Sequence, residues 1–76
     1  MIKIYSTPYC VYCRMAKEFF KKYNIAYEEF DVASDEGKLK EMVSKSHQMG
    51  VPVIDIDGEI FVGFNRSEIA KALKIS

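Results

Sequence analysis

Apolar residues recur along the chain at two different periods, and the changes of period mark out its elements. Ile2-Lys3-Ile4-Tyr5 alternates or stays apolar before a Ser6-Thr7-Pro8 break, the pattern of a short strand ending in a loop. From Val11 onward, Val11, Met15, Phe19, Phe20 and Tyr23 recur at helical spacing, with Arg14, Lys17, Lys21 and Lys22 mostly between them. This predicts a first helix ending near Asn24. The stretch from Ala26 to Val32 contains aromatics and a β-branched residue, which predicts a second strand. The gap between the two strands is long enough for a helical crossover, so they are expected to be parallel.

Ser34-Asp35 offers a helix start, and Leu39, Met42 and Val43 give one apolar face to a second helix that stops near Gly50. Pro52-Val53-Ile54-Asp55-Ile56 then reads as a strand. Asp57-Gly58 joins it to Glu59-Ile60-Phe61-Val62 as an antiparallel hairpin, because both turn residues tolerate positive φ. Asn65-Arg66-Ser67-Glu68 has the spacing of a capping box, with Phe64 and Ile69 placed as a hydrophobic staple, and predicts a third helix through Leu73. The predicted order is β-α-β-α-β-β-α, one α/β domain over residues 1–76 with no internal repeat, linker or low-complexity segment.

Composition narrows the function classes. A chain of 76 residues builds a core near the lower size limit for stability, and its 49% apolar content, with five Phe and five Tyr, favours packed globular structure over disorder. Eleven basic and eleven acidic residues cancel, and no run of Lys or Arg marks a phosphate-binding face. Nucleic acid is therefore not expected as a partner, and proteins or small thiols are. Met1 to Ser6 lacks the charged start, apolar stretch and cleavage site of a signal peptide, and no apolar run is long enough to span a membrane. A cytoplasmic location is the expectation. In that reducing compartment two cysteines are more often catalytic or metal-binding than a permanent bridge.

Cys10-Val11-Tyr12-Cys13 sits where a strand hands over to a helix, the context in which this spacing signals redox chemistry. Unpaired N–H groups and the positive end of the dipole at a helix N-terminus favour an anion, which makes Cys10 the expected attacking thiolate. Three residues is roughly one helical turn, so Cys13 lies beside it as the expected resolving thiol. A tetrahedral zinc site needs four ligands, and the only further soft candidate is His47, so no metal centre is expected. His47 itself falls at the end of the second helix, where a terminal or solvated imidazole is the ordinary reading. Arg14 and Lys17 read as solvated charges of the first helix.

Thr7-Pro8-Tyr9-Cys10-Val11-Tyr12-Cys13 followed by an amphipathic helix resembles the active-site segment of glutaredoxins. Gly50-Val51-Pro52 is similar to the Thr-Val-Pro element of that family, and Val62-Gly63-Phe64-Asn65 occupies the place of its glycine-containing substrate loop. The resemblance covers essentially the whole chain. It implies a thioredoxin-like fold, a four-stranded mixed sheet with helices on both faces. It also implies a cis Val51–Pro52 peptide whose main chain pairs with substrate like an added strand. Tyr12, Val51, Pro52, Gly63, Phe64 and Asn65 are the substrate-binding residues it implies, with Asn65 also a helix cap. The activity implied is reduction of protein disulfides or glutathione mixed disulfides by a monomer that binds no cofactor and uses glutathione as co-substrate.

Two positions depart from glutathione-using members. Thr7 stands where they carry a Lys facing a glutathione carboxylate, and Asn65-Arg66 stands where they present paired Asp. The Gly63-Phe64 pair is more similar to glutaredoxin-like redoxins that donate electrons to ribonucleotide reductase and are recharged by thioredoxin reductase. Recharge by thioredoxin reductase is the alternative. A further alternative is an iron-sulfur carrier bridging a cluster through Cys10 of two chains, because Val11 replaces the proline of many purely redox members. A non-catalytic thioredoxin-like binding module is the third class.

Overall fold

The computed structural model describes residues 1–75. Its elements are β1 (Ile2–Ser6), α1 (Val11–Lys22), β2 (Glu28–Asp31), α2 (Glu36–Ser46), β3 (Val53–Ile56), β4 (Glu59–Val62) and α3 (Arg66–Leu73), in the order that the periodicity predicts. The strands form one mixed sheet in the order β2-β1-β3-β4. β1 runs parallel to β2 and antiparallel to β3, and β3 runs antiparallel to β4.

Strand alternation divides the side chains between two faces of the sheet. Ile2, Ile4, Ile54 and Ile56 pack on one face with Ala16, Phe19 and Phe20 of α1 and with Ile69 and Ala70 of α3. Tyr5 and Val53 pack on the other with Met42 of α2 and with Val32. Helices thus cover both faces, and β3, flanked on both sides, is buried along its whole length. Among the described residues, no helix is long and apolar enough to cross a membrane.

Asp55 places a charged side chain within that buried run. It is only 7% exposed, and its carboxylate accepts from Lys45 Nζ at 2.7 Å and from the Gly58 N–H at 2.7 Å. Burial opposes both charges, but the hydrogen bonds between them outweigh it. The Asp55 carboxyl is held below its ordinary range and the Lys45 ammonium above its own. Lys45 Nζ also donates to the Tyr5 hydroxyl at 2.9 Å, and that hydroxyl donates to Glu41. The network ties α2 to β1 and β3 across the second face.

Element ends differ from the periodicity in places with local causes. α2 stops at Ser46, short of Gly50, because His47 takes the left-handed conformation at φ 60° and bonds its N–H to the Val43 carbonyl at 2.7 Å. β2 begins at Glu28 rather than Ala26, with Tyr27 drawn against Phe20 at a ring separation of 5.4 Å. β3 begins after Pro52, which has no N–H for the ladder. The hairpin turn places Asp57 and Gly58 at φ 50° and 98°. Asn65 caps α3 by accepting the Glu68 N–H at 3.2 Å, and Phe64 packs against the cluster that contains Ile69, with its ring 5.7 Å from that of Phe19.

Candidate active site

Sheet register brings three segments to one end of the molecule. Tyr5 pairs with Val53, and Val53 pairs with Val62. The chain that follows β1, the chain that precedes β3 and the chain that follows β4 therefore leave the sheet side by side. They carry the two cysteines, Val51-Pro52 and Gly63-Phe64-Asn65 respectively.

Cys10 is the N-cap of α1, with extended backbone at φ −94° and ψ 116°, and its sulfur accepts the Cys13 N–H at 3.2 Å. Val11, Tyr12 and Cys13 are then the first three helical residues. The Cys-x-x-Cys spacing is thus the spacing between a capping residue and the N–H that its side chain satisfies, with sulfur in place of a Ser or Asp oxygen. The first turn of α1 carries no acidic side chain, and Lys21 and Lys22 lie in the last turn. No carboxylate of that turn competes with the Cys10 sulfur for the positive helix end.

The Cys10 thiol is half-buried and donates to the Val51 carbonyl at 3.8 Å. Cys13 is fully buried, and no disulfide joins the two. Burial pushes the Cys13 thiol up to about 12, and its hydrogen bond with Cys10 acts in the same direction, against the Thr7 backbone N–H and the charge of Lys17. Cys13 therefore keeps its proton at neutral pH. The site pairs one reachable sulfur at a helix end with one enclosed thiol beneath it.

Tyr12, Val51, Pro52, Gly63, Phe64 and Asn65 all line one open groove of about 310 Å³, so the structure brings the implied substrate-binding residues together. Val62, which opens the segment resembling the substrate loop but is not among the implied substrate-binding residues, also lines it. The Val51–Pro52 peptide is cis. Gly63, at φ 80°, donates its N–H to the Pro52 carbonyl at 2.8 Å and so joins the segment after β4 to the segment before β3. No charged side chain lines the groove. Arg66, next in the chain, instead donates to the Tyr23 hydroxyl at 3.2 Å and lies over the Phe19 ring.

A second cavity of about 230 Å³ is lined by Thr7, Pro8, Tyr9, Cys10, Val11, Arg14 and Lys17. Lys17 is bound there to Glu29 of β2 at 2.7 Å, and the same carboxylate oxygen accepts from the buried Ser6 hydroxyl at 3.0 Å. The Lys17 hydrogen bond holds the Glu29 carboxyl below its ordinary range, and Glu29 raises Lys17 in turn. Tyr9 is 93% exposed and Tyr12 60%, so Tyr9 stands in solvent beside the sulfur rather than packing into its loop. His47 lines neither cavity and serves as the C-cap of α2. Gln48 is a polar residue that no motif marked. Its side chain bonds to Ser46 and to both main-chain groups of Gly50.

Comparison with known proteins agrees with this geometry. The glutaredoxin family profile matches residues 2–62. A glutaredoxin-like 8.6 kDa protein of the rubredoxin operon of Clostridium pasteurianum is 53% identical over 74 residues, which cover 97% of this chain and 99% of that relative. The glutaredoxin-like protein NrdH of Lactococcus lactis subsp. lactis is 38% identical over 74 residues, 93% of this chain and 97% of its own. Among solved structures, the thioredoxin-like protein BC3987 superposes with a TM-score of 0.90 at 35% identity, over 95% of this chain and 99% of that one. With a thioredoxin-like fold and a Cys-x-x-Cys pair at its helix end, the chain belongs to the glutaredoxin family, whose chemistry is thiol-disulfide exchange.

Proposed function

We propose that the protein reduces disulfides of other proteins through Cys10 and Cys13 in the cytoplasm, and that a thioredoxin reductase recharges it. The observation that carries the reading is the Cys10 sulfur, reachable at the N-terminus of α1 and bonded to the Cys13 N–H, with the Cys13 thiol enclosed and protonated below it. The Cys10 thiolate attacks one sulfur of a substrate disulfide. A Cys10–substrate disulfide forms, the substrate S–S bond breaks, and the released thiolate takes a proton. Cys13 then gives up its proton and attacks the Cys10 sulfur. The Cys10–Cys13 disulfide forms and the second substrate thiol departs. The two electrons that reduce the substrate come from the two cysteines, which end oxidised.

The groove beside Cys10 supports a peptide substrate. Val51 presents main-chain groups that an extended segment can pair with, independent of its side chains, as in strand addition. Tyr12 and Phe64 add aromatic surface, and Asn65 and Gly63 complete the lining.

The choice of reductant follows from charge. Glutathione carries two carboxylates, and the groove offers them no cationic side chain, Arg66 being held by Tyr23 and Phe19. Similarity to a relative named as the glutaredoxin-like protein NrdH points the same way. Glutathione is the competing reading, supported by family membership and by the place of Tyr12 along the groove. The test is NADPH consumption with a protein disulfide as substrate, recharged by thioredoxin reductase in one series and by glutathione with glutathione reductase in the other. Turnover confined to the first series is expected. Turnover with glutathione alone would reverse the assignment of reductant, and no Cys10-dependent turnover in either would remove the function itself.

A further inference from the structure

We infer that Gln48 is a positioning residue, whose side-chain amide fixes the Gly50–Val51 segment in the attitude that receives a substrate's main chain; this rests on the peptide groove proposed above. Gln48 lies in the connection between α2 and β3. Its Nε2 donates to the Gly50 carbonyl at 3.0 Å, and the Gly50 N–H donates to its Oε1. One primary amide thus offers Gly50 the donor and the acceptor that a residue on a neighbouring strand would offer.

The amide is itself anchored. Nε2 also donates to Ser46 Oγ at 3.1 Å, and the single proton of that hydroxyl faces the Met42 carbonyl at 2.8 Å, with the Gln48 carbonyl at 3.1 Å as its second, shared acceptor. The chain of bonds runs from the last turn of α2 to the residue before Val51. With both polar groups of Gly50 held and only two soft dihedrals per residue, the directions of the next N–H and C=O are constrained. The Val51 carbonyl is the group that meets the Cys10 thiol, and Val51 lines the groove.

Gly50 supplies an independent observation. A Cβ at this position would lie 2.7 Å from Gln48 Oε1, far inside van der Waals contact, and among the described residues beyond its chain neighbours that amide is the one group it would meet within 4 Å. The Gly50 backbone is not among those with positive φ. The room for the amide, rather than backbone freedom, is what accounts for glycine here.

The test uses the whole chain, reduced and freed of reductant, in four forms: wild type, Gln48→Ala, Gly50→Ala and the double variant. Each is oxidised by excess peptide disulfide or by excess bis(2-hydroxyethyl) disulfide, which has no peptide backbone to pair with Val51. The ratio of the two rates is expected to fall about tenfold in Gln48→Ala, the effect of losing roughly one well-placed hydrogen bond. Gly50→Ala should lower the ratio similarly by displacing the amide, and in the Gln48→Ala background it should add little, since the clash is gone. Hydrogen exchange at the Gly50 amide should quicken in Gln48→Ala. An unchanged ratio, fully additive losses or unchanged exchange would each overturn the inference. Wild type that reduces neither disulfide would instead remove the proposed function, while Gly50 exchange would still report on the amide lock.

Discussion

The backbone N–H of Cys13 points at the Cys10 sulfur across 3.2 Å, so the residue proposed to resolve also supplies the donor that caps its partner. This relationship separates the two thiols chemically. Cys10 is half-buried at the helix end, whereas Cys13 is enclosed and keeps its proton up to about 12. Iodoacetamide at pH 8 is therefore expected to label one thiol per reduced chain, with the modified peptide containing Cys10. Labelling of Cys13 at a comparable rate, read by mass spectrometry, would contradict the enclosure. In 6 M urea both thiols should react, because the burial that protects Cys13 is lost.

The two cysteines should also separate by mutation. Cys10→Ser removes the attacking sulfur and is expected to abolish disulfide reduction. Cys13→Ser leaves the first attack intact but removes resolution, so the Cys10–substrate mixed disulfide should accumulate as a covalent adduct. Non-reducing gels and intact mass measure it directly. An adduct that forms on Cys10→Ser and not on Cys13→Ser would exchange the two roles.

The sequence made the site legible because its chemistry is written in local spacing. Cys10 and Cys13 stand at the separation of a helix cap and its third N–H, and the capping box at Asn65 marks the helix that borders the groove. The helix-length gap between the first two strands and the turn at Asp57-Gly58 set the direction of those two pairs, and register then carried Val51 and Gly63 to the cysteines. Gln48 was not legible, because its role depends on a loop geometry that no periodicity reports. Asp55 was not legible as a buried charge either. Its partner Lys45 sits on another element, and the pairing exists only once α2 lies on the sheet.

That pairing makes a prediction about acid stability. Asp55 is depressed in the fold, so its contribution is present above the ordinary carboxylate value near pH 4 and is lost as pH falls through the folded value. Lys45 is raised, so its contribution is complete below the ordinary lysine value and is lost only at high pH. Between these limits Lys45→Met leaves a buried carboxylate without its cation, at a cost of about 2 kcal/mol, typical of a lost charged hydrogen bond. Urea unfolding at pH 7 and pH 3 checks it. The difference from wild type should narrow at pH 3, because in the variant burial without the cation favours protonation of the Asp55 carboxyl. A difference independent of pH would assign the loss to packing of the lysine stem.

Thr7 offers a gain-of-function test of reductant choice. Its main chain faces the cysteines, since its carbonyl accepts the Cys10 N–H at 3.4 Å and its backbone acts to lower the Cys13 thiol. Thr7 also lines the cavity that holds Cys10, Arg14 and Lys17. Thr7→Lys keeps the main-chain bond to Cys10 while placing there the cation that glutathione-using members of the family present at this position. Oxidation of the reduced chain by oxidised glutathione should then accelerate about threefold at low salt, the effect of one partly screened ion pair. The acceleration should fade as ionic strength rises, because an exposed pair is screened over roughly 10 Å at 0.1 M salt. Bis(2-hydroxyethyl) disulfide carries no charge, and its rate should not respond. Equal acceleration of both disulfides would mean that the new lysine activates the Cys10 sulfur rather than binding a carboxylate. No acceleration of either would mean that the lack of cationic contacts in the groove, and not Thr7, is what would set the proposed preference against glutathione.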